Sequence, residues 1–154
     1  MTNLRLFALC AVLLSTTLIL PVRVIAGARG ADTKPIAGAV DQLLSAWNKH
    51  DAPKFAAVFT DDGDFINTRG GRVHGRKAIA DMLTALMRQS KASNHAAQVG
   101  TDVKMVKPDV ALVLSRLSVK TGTGQAGSAF ATLVLVNTSG KWRISACEIA
   151  TGGK

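Results

Sequence analysis

Ten carboxylates, three histidines and two cysteines are the side chains on which this 154-residue chain could build acid/base, nucleophilic or metal chemistry. Three of the acids crowd one stretch, FAAVFTDDGDFIN, Phe55 to Asn67. Adjacent side chains such as Asp61 and Asp62 rarely converge, and Asp-Gly is ordinary turn chemistry. The calcium-loop pattern fails as well, because it needs alternating oxygen ligands and a distal glutamate. Asp61 and Asp62 therefore read as the corner where a helix hands over to a strand. Asp64 differs: as the first residue of that strand it is a candidate catalytic carboxylate if it faces a pocket, and a solvated one if it does not.

Glu148 is the only glutamate. By strand parity it shares a face with Trp142, Ile144 and Ala146, where apolar surroundings would raise a carboxylate pKa and suit it to general acid/base work. If the strand has ended by then, the side chain is solvated. His74, before Gly75 at a predicted helix start, is a candidate general base at a pocket rim, or an exposed loop residue. Arg116 sits between Ser115 and Leu117 in a predicted strand; it is placed to pair with Glu148 or Asp64, to bind an acidic ligand, or to lie on the outer face. His50, His74 and His95 lack metal-ligand spacing, so no metal is expected. Cys147 lies in an apolar strand pattern with no local base, and reads as a small buried hydrophobe.

Elements to hold these residues follow from periodicity. Pro35 to His50 reads as a helix, with Ile36, Val40, Leu43, Leu44 and Trp47 on one face and Asp32 and Thr33 available as caps. Asp51 caps a short second helix, Pro53 to Phe59. Asp64 to Thr68 reads as a short strand and the following RGGR as a turn. Gly75 to Ser90 is a third helix, striped by Ile79, Met82, Leu83, Leu86 and Met87. Strands are expected at Ala96–Val106, Val110–Thr121, Ala129–Asn137 and Trp142–Ile149. The loop GTGQAG, Gly122 to Gly127, imitates a dinucleotide fingerprint, but a strand follows it where the motif requires a helix, so it reads as a hairpin loop. Asn137-Thr138-Ser139 fits a glycosylation sequon and also a hairpin tip, and the tip is preferred.

Helices first and a strand meander afterwards predict an α+β fold, with helices on one face of a mostly antiparallel sheet. VALVL (Val110 to Leu114) and AFATLVLV (Ala129 to Val136) are apolar on both faces, whereas simple antiparallel strands alternate. The helices can cover one face; a second subunit on the other predicts a homodimer through the sheet. A strongly curled sheet that partly covers itself is the alternative.

Residues 1–28 read as an export signal: Arg5, the 15-residue apolar stretch Leu6 to Leu20, and Ala26-Gly27-Ala28 as a cleavage site. That stretch is short against the roughly 20 residues of a bilayer span, so a membrane anchor is expected only if the signal stays uncleaved. Removing 28 of 154 residues leaves 126, one domain, with 29–34 as a flexible lead-in and 35–152 as the folded part. Cleavage leaves 17 basic against 10 acidic residues, a charge of +7. The basic residues are scattered and do not interleave with aromatics, so no nucleic-acid partner is expected. A periplasmic or secreted location follows from the signal.

The order FAAVFTDDGDFIN, a glycine turn, HGRKAI opening a helix and GKWRI in the last strand resembles the SnoaL-like branch of the nuclear transport factor 2-like superfamily, most closely the SgcJ/EcaC-type proteins. The likeness spans about Ile36 to Thr151. It implies a cone: a strongly curved sheet wrapped around about three N-terminal helices (the cystatin-like roll), with an apolar pocket at its open end, often dimeric. In ketosteroid isomerases of this superfamily a carboxylate base stands three residues before the glycine of the turn after this strand. If that glycine matches Gly70, the position here is Asn67, an amide that only donates and accepts hydrogen bonds. The chain has no tyrosine to stabilise an oxyanion, so the isomerase mechanism is not implied.

The expected function is an exported protein that binds a small, largely hydrophobic molecule in the cone, without a cofactor. Trp47, Phe59, Phe65, Asn67, Met87, Arg116, Phe130 and Trp142 are the candidate ligand contacts. The alternatives are an enzyme using Glu148, Asp64 or His74 for isomerase-, cyclase- or dehydratase-like chemistry in the same pocket, and a dimeric assembly module with a filled cone.

Overall fold

The computed structural model describes residues 32–89, 94–122 and 124–152. The expected export signal and the first half of the lead-in lie outside the described residues, as do Ser90 and Thr123. Helix α1 (Lys34–Asn48) carries Pro35 in its first turn and buries Ile36, Ala39, Val40, Leu43 and Ala46, the stripe that its periodicity requires. Asp32 Oδ1 accepts the Lys34 N–H at its start. His50, at φ 53°, turns the chain toward α2 (Ala52–Ala57). There Asp51 Oδ1 accepts the Lys54 N–H at 3.0 Å, a side-chain cap. Helix α3 (Arg76–Gln89) buries Ile79 and Leu83.

Strands β1 (Phe59–Ile66), β2 (Arg72–His74), β3 (His95–Lys107), β4 (Val110–Lys120), β5 (Ala126–Thr138) and β6 (Lys141–Thr151) form one curved, unclosed sheet in the order β2-β1-β6-β5-β4-β3. The fold is thus α+β, as expected. The pairs β3–β4, β4–β5 and β5–β6 are antiparallel, as is β1–β2; β1 and β6 run parallel. The expected meander is present, and two expectations are corrected. The stretch RGGR is not all turn, since Arg72–His74 pairs with Asp64–Ile66. Asp61 and Asp62 do not form a helix–strand corner: β1 begins at Phe59, and both acids lie in an irregular part of it between the partners Phe59↔Ile144 and Asp64↔Ala146. Gly63 in that stretch packs so closely on Phe59 and the Ile144 carbonyl that a Cβ would meet them at 3.1 Å.

The core lies between the three helices and the inner face of the sheet, where Phe59, Val113, Leu133, Leu135, Ile144 and Cys147 are fully buried. Phe55, Phe59 and Phe65 form an aromatic cluster with centroids 5.8 to 6.4 Å apart. The open edge of β3 is bound from α1: Asn48 Nδ2 donates to the Ala96 carbonyl and Asn48 Oδ1 accepts the Ala96 N–H, each at 2.8 Å.

Candidate functional site

The inner face of the sheet changes along its length. Toward the β5–β6 hairpin it carries Leu133, Leu135, Ile144 and Val113, which fill the space under the helices. Toward the β4–β5 hairpin, the cross-strand rows are Ser115–Ala131–Ile149 and then Leu117–Ala129–Thr151. On β5 the inward series runs Gly127, Ala129, Ala131, Leu133, Leu135, from no side chain to a large one. The small residues leave a hollow of about 650 Å³, within the range of small-molecule sites. Val40, Leu43, Leu44 and Trp47 of α1 and Met82, Leu83 and Leu86 of α3 close it from the helical side. Its mouth lies between the β1–β2 turn (Asn67, Thr68, Arg69), Asn94 and the β4–β5 hairpin (Thr121, Gln125).

Polar groups are few. Ser115 is 1% exposed; its Oγ lies 3.3 Å from Thr101 Oγ1 and 3.5 Å from the Gly100 carbonyl, weak bonds that leave acceptor capacity toward the hollow. Asn67 Oδ1 accepts the N–H of Arg69 at 2.9 Å and of Gly71 at 3.0 Å, which fixes the β1–β2 turn. Gly70, at φ 77°, makes that turn, and a Cβ on Gly71 would meet Asn67 Nδ2 at 2.8 Å. The loop GTGQAG is a hairpin connection: the Thr121 N–H donates to the Gln125 carbonyl, and β5 follows with no helix. Asn137 to Ser139 stands at the β5–β6 turn, where the Asn137 side chain accepts the Gly140 N–H.

Of the residues singled out by sequence, the structure brings Trp47, Phe65 and Asn67 to the hollow. The others lie elsewhere. Glu148 is exposed on the outer face, because the register shift between Val134↔Ala146 and Leu135↔Ile144 leaves Ser145 as an extra residue and reverses the alternation. Ile144 and Cys147, three apart, consequently both point inward. Asp64 also faces outward, beside Ala146 in register; Arg72 grips it with two bonds of 2.9 Å and His74 Nδ1 lies 2.8 Å away. The Arg72 guanidinium and then His74 hold its carboxyl below the usual range. His74 is exposed in that cluster and not at the mouth. Arg116 lies on the outer face over Gly100, where a Cβ would meet its guanidinium at 3.0 Å, and Phe130, opposite Arg116 in register, is 48% exposed there. Phe59 is spent on the aromatic core, while Met87 and Trp142 pack against the core outside the hollow.

Cys147 is buried as expected, and burial, then the charge of Glu148, pushes its thiol up to about 12. Asp61 pairs with Arg76 at 2.8 Å, and the same guanidinium donates to the Phe59 carbonyl, tying α3 to the irregular part of β1. Among the described residues no three His, Cys, Asp or Glu side chains are grouped to hold a metal, and no helix is long and apolar enough to cross a membrane. Sequence reasoning missed Ser115, Ala129, Ala131 and Arg69; the graded series on β5 was the available signal.

Comparison with known proteins places this geometry. The model of the SnoaL-like domain matches residues 36–148. The chain belongs to the SnoaL-like domain family. An uncharacterised protein with a cystatin-like fold from Caulobacter vibrioides matches at 23% identity and TM-score 0.70, over 80% of this chain and 92% of that one. A putative scytalone dehydratase from Novosphingobium aromaticivorans matches at 15% identity and TM-score 0.69, over 79% and 84%. ActVI-ORFA from Streptomyces coelicolor matches at 18% identity and TM-score 0.68, over 76% and 95%. At these identities the likeness is one of fold. No curated protein matches the chain.

Proposed function

We propose that this SnoaL-like chain is an exported protein that binds a small, largely hydrophobic molecule in the hollow of its sheet. One observation carries the reading: a cavity of about 650 Å³ whose walls are apolar and whose lining includes none of the chain's ten acids and three histidines. Acid/base catalysis needs a titratable group within hydrogen-bond reach of the reacting atom. Asp64, His74 and Glu148, the candidates for that work, stand on the opposite face of the sheet. Within the family, the order of the quoted motifs supports kinship with the SgcJ/EcaC-type proteins.

The second subunit we propose sits on the outer face. Leu114 and Phe130, each 48% exposed, stand there beside Arg116 and near Glu148, and neither charge has an ion-pair partner among the described residues. In the two-fold packing we propose, Arg116 pairs with Glu148 of the partner subunit, a contact that the symmetry repeats.

Native mass spectrometry of the protein recovered from the exported fraction tests both statements. The expected species is a dimer of chains beginning at Arg29, carrying a small molecule that Ala131→Phe excludes. A monomer would remove the second-subunit proposal. A chain that takes up no apolar compound with Ala131 in place would remove the binding proposal.

A further inference from the structure

Granting the binding reading, we infer that the occupant is an amphipathic anion, with its apolar body in the hollow and its acidic group at the mouth on Arg69 and Asn67. Among the described residues, Arg69 is the one charged residue lining the cavity. Its backbone N–H donates to Asn67 Oδ1, and its guanidinium makes no ion pair among the described residues. The turn that carries it is held from both sides. The Asn67 N–H donates to the Gly71 carbonyl at 3.0 Å, and the Gly70 N–H donates to the Asn67 carbonyl at 2.9 Å.

The same turn settles what Asn67 offers a ligand. Both groups bonded to Oδ1 are N–H donors, which fixes the orientation of the amide and consumes its acceptor. What remains is Nδ2, a donor. Among the described residues that line the hollow, this turn therefore supplies one cation and one amide donor, with no carboxylate to compete. A neutral apolar molecule covering that mouth would strip water from the guanidinium and return nothing. A carboxylate, sulfonate or phosphate matches its planar fork and restores the lost hydrogen bonds.

Two fluorescent probes of the same shape test this: anilinonaphthalene sulfonate, which is anionic, and N-phenylnaphthylamine, its uncharged parent. The mature protein is expected to bind the anionic probe about tenfold more tightly, the low end for a charge-assisted hydrogen bond at an exposed rim. Added salt should weaken that preference. Arg69→Gln should bring the ratio of the two affinities close to one, and Arg69→Lys should keep most of it; Arg69 is exposed, so circular dichroism of either variant should match the parent. A ratio near one in the parent protein, or one that Arg69→Gln leaves unaltered, overturns the anion assignment while the hollow still binds. Failure of both probes to bind, or binding that Ala131→Phe does not affect, overturns the binding reading and this inference together.

Discussion

The two faces of the sheet are made from the same four long strands, yet they divide chemistry and space between them. The inner face is uncharged. Where its side chains are large it forms core, and where they dwindle to Ser115, Ala129 and Ala131 it forms a hollow. The outer face carries the residues that look reactive in a sequence: the Arg72–Asp64–His74 cluster, Glu148 and Arg116. Groups able to move protons are thus separated by the thickness of a sheet from the hollow. The lesson is that residue type alone does not locate a site; the face decides, and in this chain bulges in β1 and β6 decide the face.

The contrast can be broken most directly by stability. Leu135→Ala, at the filled end of the inner face, should cost about 2–5 kcal/mol in urea unfolding. Leu114→Ala, on the outer face, should stay within about 0.5 kcal/mol for an isolated subunit. An equal cost at Leu114, growing with protein concentration, would mean that a second copy covers it. Next in size, Ala131→Phe should weaken uptake of an uncharged apolar probe at least about tenfold, or roughly 1.4 kcal/mol by titration, while the melting temperature holds. The inner face should also respond to alkali through Cys147. The folded pKa is raised from 9.0 to about 12, so below pH 9 the contribution is fully present. Above that the unfolded thiol ionises while the buried one does not, and stability should fall by roughly 1.4 kcal/mol at about pH 10. Cys147→Ala should abolish that decline in a pH series of urea melts. Smallest of all, Glu148→Gln and Asp64→Asn should leave probe binding unaltered in fluorescence titrations; a loss with either would place the outer face in the site after all.

Much of the frame was legible from periodicity, because an apolar stripe at helical or strand spacing is the direct imprint of burial. The face of α1, the cap at Asp51, the meander and the burial of Cys147 follow from such local signals. The site was less legible for two reasons. Parity counting assumes an unbroken alternation, and the extra residue at Ser145 reversed it for Glu148, just as the irregular stretch in β1 absorbed Asp61 and Asp62. A hollow, moreover, is defined by side chains that are absent. Phe59, Phe130 and Trp142 look like cavity walls in the sequence, whereas the cavity owes its existence to alanines and a glycine on β5. Arg69 reads in sequence as part of a turn, since nothing local says that the turn lines a cavity.

Asn48 has a consequence beyond its own contacts. Its amide occupies both hydrogen-bonding groups of Ala96 on the free margin of β3. Those are the groups that a stray β-segment from a neighbouring molecule would seize to start a ribbon. One carboxamide, anchored by a helix, therefore withholds that residue of the margin from ribbon growth, next to the entrance of the hollow.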